Sequence, residues 1–174
     1  VIPAPVEFLQ CVRRITKELD IPLILDEIQC GMGRSGKMFA FEYADIIPDV
    51  VLISKAIGGS QPMAVVVYNK ELDKWSPGAH AGTFRGNQLA MKAGTIVLNR
   101  VSKQDFLADV IRKGNLIRTK LNELKEKTSI IGDVRGKGLM VGTEFVDPHG
   151  EPDCIDSLPA SGEIAEKVQK YCFE

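Results

Sequence analysis

The 174-residue chain is short of several things. It has two histidines, His80 and His149, and neither stands in a metal-ligand spacing, so no metal site is expected. It has one tryptophan, Trp75, read as a packing anchor. Its four cysteines, Cys11, Cys30, Cys154 and Cys172, are scattered without a Cys-x-x-Cys pair. That spacing excludes a disulfide-dense secreted scaffold and suits a reduced, cytoplasmic chain. No apolar run approaches the length of a bilayer crossing; Met63–Tyr68 is among the longest. Neither sign of charge is in excess, with 22 Lys and Arg against 23 Asp and Glu. A nucleic-acid or anionic-membrane footprint is therefore not expected. An initiator methionine and a basic leader are also missing, and Phe173-Glu174 falls inside a helical pattern. We expect a piece of a longer chain, without a signal peptide. What is present is 44% apolar and 26% charged residues, enough for a packed core.

Val6, Leu9, Val12, Ile15 and Leu19 recur at helical spacing and predict a helix over 6–19. Leu23-Ile24-Leu25, Asp49–Ser54 and Met63–Tyr68 read as short, buried strands. Asn87 is a plausible cap for a helix to Val101, and Phe106, Val110, Ile117, Leu121 and Leu124 stripe a second over 104–126. Leu139–Val146 alternates as a half-exposed strand, residues 147–160 form a Pro-bearing loop, and Ser161 opens a last helix. Helices alternating with strands that are apolar on both faces predict an α/β class. The texture changes near residue 87, and a soft boundary is expected at 102.

Gly31-Met32-Gly33-Arg34-Ser35-Gly36-Lys37 matches both a dinucleotide fingerprint and a P-loop. A P-loop needs Ser or Thr after its lysine, where Met38 stands. The dinucleotide pattern needs an acid at the next strand end, where Lys55 stands. A glycine loop that turns sharply beside a ligand is the preferred reading. Ligand crevices in open α/β sheets lie beyond the carboxyl ends of strands, and Asp26 and Lys55 occupy two such ends. A desolvated lysine there would be a nucleophilic amine suited to Schiff-base chemistry. A carboxylate facing the same hollow could keep a pyridine nitrogen protonated. The pair would suffice for pyridoxal phosphate. Either residue alone also reads as an ordinary turn acceptor or rim charge.

Five blocks follow in order: Leu25-Asp26-Glu27-Ile28-Gln29, Gly31-x-Gly33-Arg34-Ser35-Gly36, Phe39-Ala40-Phe41-Glu42, Pro48-Asp49-Val50-Val51 and Ser54-Lys55-Ala56-Ile57-Gly58-Gly59. Together they resemble the signature of class-III aminotransferases, pyridoxal-phosphate enzymes of fold type I. Asp26 and Lys55 stand 29 positions apart, which suits that family. His80–Asn87 resembles its later glycine-threonine block, and Val134–Met140 the start of its C-terminal domain. The resemblance implies that residues 1–102 are the C-terminal part of a large, mostly parallel-sheet cofactor domain. Residues 103–174 would begin the small α+β domain. It implies that Lys55 forms the Schiff base and carries the proton, Asp26 pairs with the pyridine nitrogen, Ile28 lies under the ring, and Gln29 reaches the phenolic oxygen. Thr83 would donate to the phosphate of cofactor held mainly by the partner of a homodimer.

Leu72-Asp73-x-Trp75-x-Pro77-Gly78-x-His80, running into Gly82–Asn87, resembles the subgroup of that family whose amino donor is L-2,4-diaminobutanoate, with 2-oxoglutarate as acceptor. Ornithine, 4-aminobutanoate and β-alanine are alternative donors, and a truncated, non-catalytic dimerisation module is a third reading. Arg85 could meet a carboxylate or phosphate across the interface, or be a plain surface charge. Arg135 matches a family position, but a substrate-gripping role is not assigned to it. The main phosphate loop and the aromatic stacked on the ring should lie outside these residues. The segment alone is expected to be inactive.

Overall fold

Helix α1, Val6–Glu18, lays Leu9 and Val12 against a small core of Leu23, Ala44 and Ile46. It stops where Asp20 turns left-handed, at φ 54°, and the Ile21 N–H returns to the Thr16 carbonyl at 2.8 Å. That closure satisfies carbonyls the helix leaves open. The chain then enters β1, Ile24–Asp26, which pairs in parallel with β2, Val50–Ile53. The register runs Ile24 opposite Val50, Leu25 opposite Val51 and Asp26 opposite Leu52. A long excursion joins the two strands, and its only regular element is a short 3-10 helix, Ala40–Ala44.

The computed structural model describes all 174 residues and divides into two units, Ala4–Val110 and Ile111–Glu174 with Val1–Pro3. The division falls inside helix α3, Gln104–Lys125, a few residues beyond the soft boundary expected at 102.

In the first unit, β3, Val65–Tyr68, completes a sheet of order β1-β2-β3. The sequence suggested a buried strand in a mostly parallel sheet. β3 instead runs antiparallel to β2, and Val66, Val67 and Tyr68 are exposed. The reason is local: the chain leaves β2 through a one-turn 3-10 helix, Lys55–Gly58, and comes straight back, which forces the antiparallel sense. β3 is then an edge strand, half-covered at best. A second core gathers Met32, Val51, Ile53, Ile57 and Val101, with Phe106 against it. Helix α2, Gln88–Val101, starts where Asn87 Oδ1 accepts from the Leu89 and Ala90 amides at 3.0 and 3.3 Å, as its sequence predicts.

In the second unit, β4, Ile131–Lys137, and β5, Met140–Phe145, form an antiparallel hairpin with Lys137 opposite Met140. Gly138, at φ 53°, makes the turn, and a Cβ on Gly114 of α3 would collide with the Gly138 carbonyl. Strand β4 escapes the hydrophobic pattern because it carries Gly132, Arg135, Gly136 and Lys137. Helix α4, Gly162–Phe173, is capped by Ser161 Oγ, which accepts from the Ile164 amide at 3.3 Å. No helix is long and apolar enough to cross a membrane.

Candidate active site at the carboxyl ends of strands β1 and β2

Parallel pairing puts Asp26 and Lys55 on one rim. Asp26 is the last residue of β1, and the Glu27 amide extends the ladder by donating to the Leu52 carbonyl at 2.9 Å. Two residues beyond β2 the chain reaches Lys55, whose Nζ donates to Gln29 Oε1 at 2.7 Å. The turns after the two strands therefore touch through side chains that the sequence had singled out. The partner of the amine is a neutral amide rather than a carboxylate, so no ion pair locks it away from an incoming carbonyl.

Lys55 has φ 51°, in the left-handed region that a side chain occupies at a cost of about 1–2 kcal/mol. The core beneath holds it there. Ile57 is 3% exposed, and α2 approaches so closely that a Cβ on Gly94 would lie 2.9 Å from the Ile57 carbonyl. Glycine at 94 is thus a requirement of the turn that presents the amine.

Asp26 Oδ1 accepts from the Ile28 amide at 2.8 Å, a local turn that leaves the second oxygen without a protein partner. The carboxylate is both a turn acceptor and a free acceptor on the rim. Ile28 is half-buried, and Gln29 is exposed with its carbonyl taken by Arg34 Nε at 2.9 Å.

The sequence reading placed the amine and the acid in a desolvated hollow. In the structure both residues are exposed, because no element of this chain covers the rim. A hollow of about 540 Å³ lies at the other end of the sheet, lined in part by Arg13, Asp45, Asp49 and Asn69. That end carries an ion pair, Arg13 to Asp49 at 2.6 Å, and is also lined by Thr16 and Lys17.

The glycine loop turns sharply, as its sequence predicts. Gly33 and Gly36 take φ 83° and 92°, and a Cβ on Gly33 would press on Phe106, Leu107 and Val101. Gly33 faces apolar side chains. Thr83 lies apart on an exposed loop beside Phe84, which is 90% exposed. Arg85 on that loop donates to the His80 carbonyl, and Trp75 sits between the Tyr68 and His80 rings. Arg135 is fully engaged, with Asp133 at 2.8 Å, Glu144 at 2.5 Å and the Val1 carbonyl at 2.7 Å.

Sequence reasoning missed Glu27. It is 3% exposed, and its carboxylate accepts from the Ala40 and Phe41 amides, each at 3.0 Å, and from the Cys30 thiol at 3.1 Å. The signal was available: a charged residue directly after an apolar strand, followed by a loop long enough to fold back. Burial, and then the Glu27 carboxylate, push the Cys30 thiol up to about 12, so Cys30 is a packing donor and not a second nucleophile.

The donor set suits a ligand with an electrophilic carbonyl, a basic ring nitrogen and a flat apolar face. Lys55 supplies a primary amine, Asp26 an unpaired carboxylate oxygen, and Ile28 a half-buried aliphatic surface.

Known proteins point the same way. The family described as "Aminotransferase class-III" matches residues 1–171. Diaminobutyrate–2-oxoglutarate aminotransferase of Rhizobium meliloti (strain 1021) is 53% identical over 99% of this chain, and that of Haemophilus influenzae 44% over 100%. The chain spans 37% and 38% of the lengths of these two curated relatives. Among solved structures, ornithine aminotransferase from Plasmodium yoelii superposes with a TM-score of 0.77 at 32% identity, over 83% of this chain and 39% of that one.

Proposed function

The chain belongs to the class-III aminotransferase family, of fold type I, and we propose that the protein it forms part of transfers an amino group between L-2,4-diaminobutanoate and 2-oxoglutarate. The products in the forward sense would be L-aspartate 4-semialdehyde and L-glutamate. The observation that carries the reading is the Lys55 Nζ contact with Gln29 on the rim where Asp26 ends its strand.

Class-III aminotransferases work with pyridoxal phosphate, and the donor set fits it. When bound, that cofactor supplies an aldehyde for the amine and a ring that accepts electrons from the substrate carbon. Lys55 offers Nζ as the nucleophile and afterwards takes and returns the proton at the reacting carbon. Asp26 Oδ2 would hold a ring nitrogen protonated, Ile28 would support the ring face, and Gln29 would meet the phenolic oxygen. Gln29 also orients the Lys55 amine beforehand, at 2.7 Å. Thr83, exposed on its loop, would serve the phosphate at the partner's site, which makes a homodimer part of this reading. Residues 1–102 would then belong to the large domain and 103–174 to the small one. Four free thiols are consistent with a reducing, cytoplasmic setting.

The diamino donor is supported by the 53% and 44% identities to diaminobutyrate enzymes. The likeness to an ornithine aminotransferase favours a second reading, in which the donor is ornithine. Turnover of the full-length protein with each diamino acid in turn separates the two. Lys55→Ala should abolish turnover with every donor; activity that survived it would refute the assignment of the amine.

A further inference from the structure

Glu27 is a charged side chain buried immediately after Asp26. Burying a carboxylate is costly unless donors surround it. Here three do, and they come from both ends of one loop. Cys30 lies at its start, while the Ala40 and Phe41 amides open the 3-10 helix that closes it. The Glu27 carbonyl is engaged as well, accepting from the Gly31 amide at 3.0 Å. A Cβ on Gly31 would stand only 2.7 Å from that oxygen. Glu27 is therefore clamped at backbone and side chain, and the turn it anchors carries Ile28 and Gln29.

We propose that Glu27 is a positioning residue that fixes the Asp26 carboxylate and the Gln29 amide against the Lys55 amine so that one cofactor ring can meet all three. Glu27 itself touches neither ring nor substrate; it acts through Asp26 and Gln29. This rests on the pyridoxal-phosphate reading given above.

Glu42 provides an internal control. Its Oε1 accepts from the Phe39 amide at 2.7 Å, capping the same 3-10 helix, yet it is exposed and has no bond to the 26–29 turn. A residue that merely stabilised the loop would behave alike at either place. Glu27→Gln keeps one acceptor but turns an NH₂ group toward the second amide. Glu27→Asp keeps the charge and loses the reach to one of them.

The test uses the full-length protein in apo and cofactor-loaded forms. Three readouts are taken: melting temperature, pyridoxal-phosphate dissociation constant, and the pH midpoint of the visible band of the bound cofactor. Glu27→Gln and Glu42→Gln should both lower the melting temperature. Only Glu27→Gln should weaken cofactor binding, by about tenfold, as loss of a residue that orients direct ligands does. Only it should move the band midpoint, by about half a unit, because the charge beside the ring has shifted. If Glu27→Gln does not fold, Glu27→Asp carries the same comparison. Glu27 variants that lose stability while leaving binding and midpoint unchanged would overturn the proposal. An unmodified protein with no visible band, or a Lys55→Ala variant that keeps it, would overturn the functional reading itself, and the positioning role with it.

Discussion

Cys30 lies one residue from Gln29, close enough to the rim to be taken for a reactive thiol. Its surroundings predict the opposite. Burial and the adjacent Glu27 carboxylate raise it to about 12, against about 8.5 for a free thiol. At pH 8 the thiolate fraction of Cys30 is then about one in ten thousand, against about one in four for an unperturbed cysteine. A more basic thiolate is also a better nucleophile, with a Brønsted slope of about 0.4–0.5, which returns between one and two powers of ten. The net expectation is that Cys30 reacts about a hundredfold more slowly than a free thiol in water, and Cys11, Cys154 and Cys172 are the exposed thiols to compare it with. The perturbation is a disulfide reagent at pH 8 with the folded 174-residue chain, followed by mass spectrometry of the labelled peptides. Three thiols should modify quickly and one slowly, and all four should modify together in guanidinium. Glu27→Gln should accelerate the slow thiol. Equal rates for all four, or Cys30 reacting first, would refute the electrostatic reasoning and reopen a nucleophilic role.

Gly94→Ala should destabilise the chain by about 1–3 kcal/mol in urea unfolding, because its Cβ would crowd the Ile57 carbonyl and push α2 off the Lys55 turn. Burial pushes the Asp49 carboxyl up, but the Leu23 amide and the Arg13 guanidinium outweigh it and hold it below the ordinary value. A lowered carboxyl contributes stability above its unfolded value, near pH 4, and the contribution is lost as pH falls through the folded value. Urea midpoints measured from pH 6 to pH 2.5 should therefore drop less in Asp49→Asn than in the parent. Lys55→Gly should unfold at higher urea than Lys55→Ala, by about 1 kcal/mol, since glycine occupies the positive φ without strain; equal stabilities would show that the backbone at 55 relaxes.

Much of this architecture was readable beforehand. Helical spacing and the caps Asn87 and Ser161 bounded α2 and α4, and the runs Leu23–Leu25 and Asp49–Ser54 marked β1 and β2. The rim bearing Asp26 and Lys55 was legible because polar residues follow apolar strands there, whereas Gln29 entered only through the family resemblance. Three features were not. Strand β4 is held by its partner β5, so its own residues carry no alternating pattern. β3 takes its direction and exposure from the tight turn before it. Glu27 is buried only because two amides 13 and 14 residues further on fold back to meet it.

The order of residues by itself determined which elements form and which chemical groups stand at their ends, since periodicity, caps and strand-end residues are local properties of the chain. Tertiary structure alone decided that Lys55 takes a left-handed backbone, that Gln29 Oε1 rather than a carboxylate receives its amine, and that the acid and the amine stand open on the rim. Those outcomes depend on where α2, the 3-10 helix and the neighbouring strand come to rest, and long-range packing leaves no local trace in the sequence.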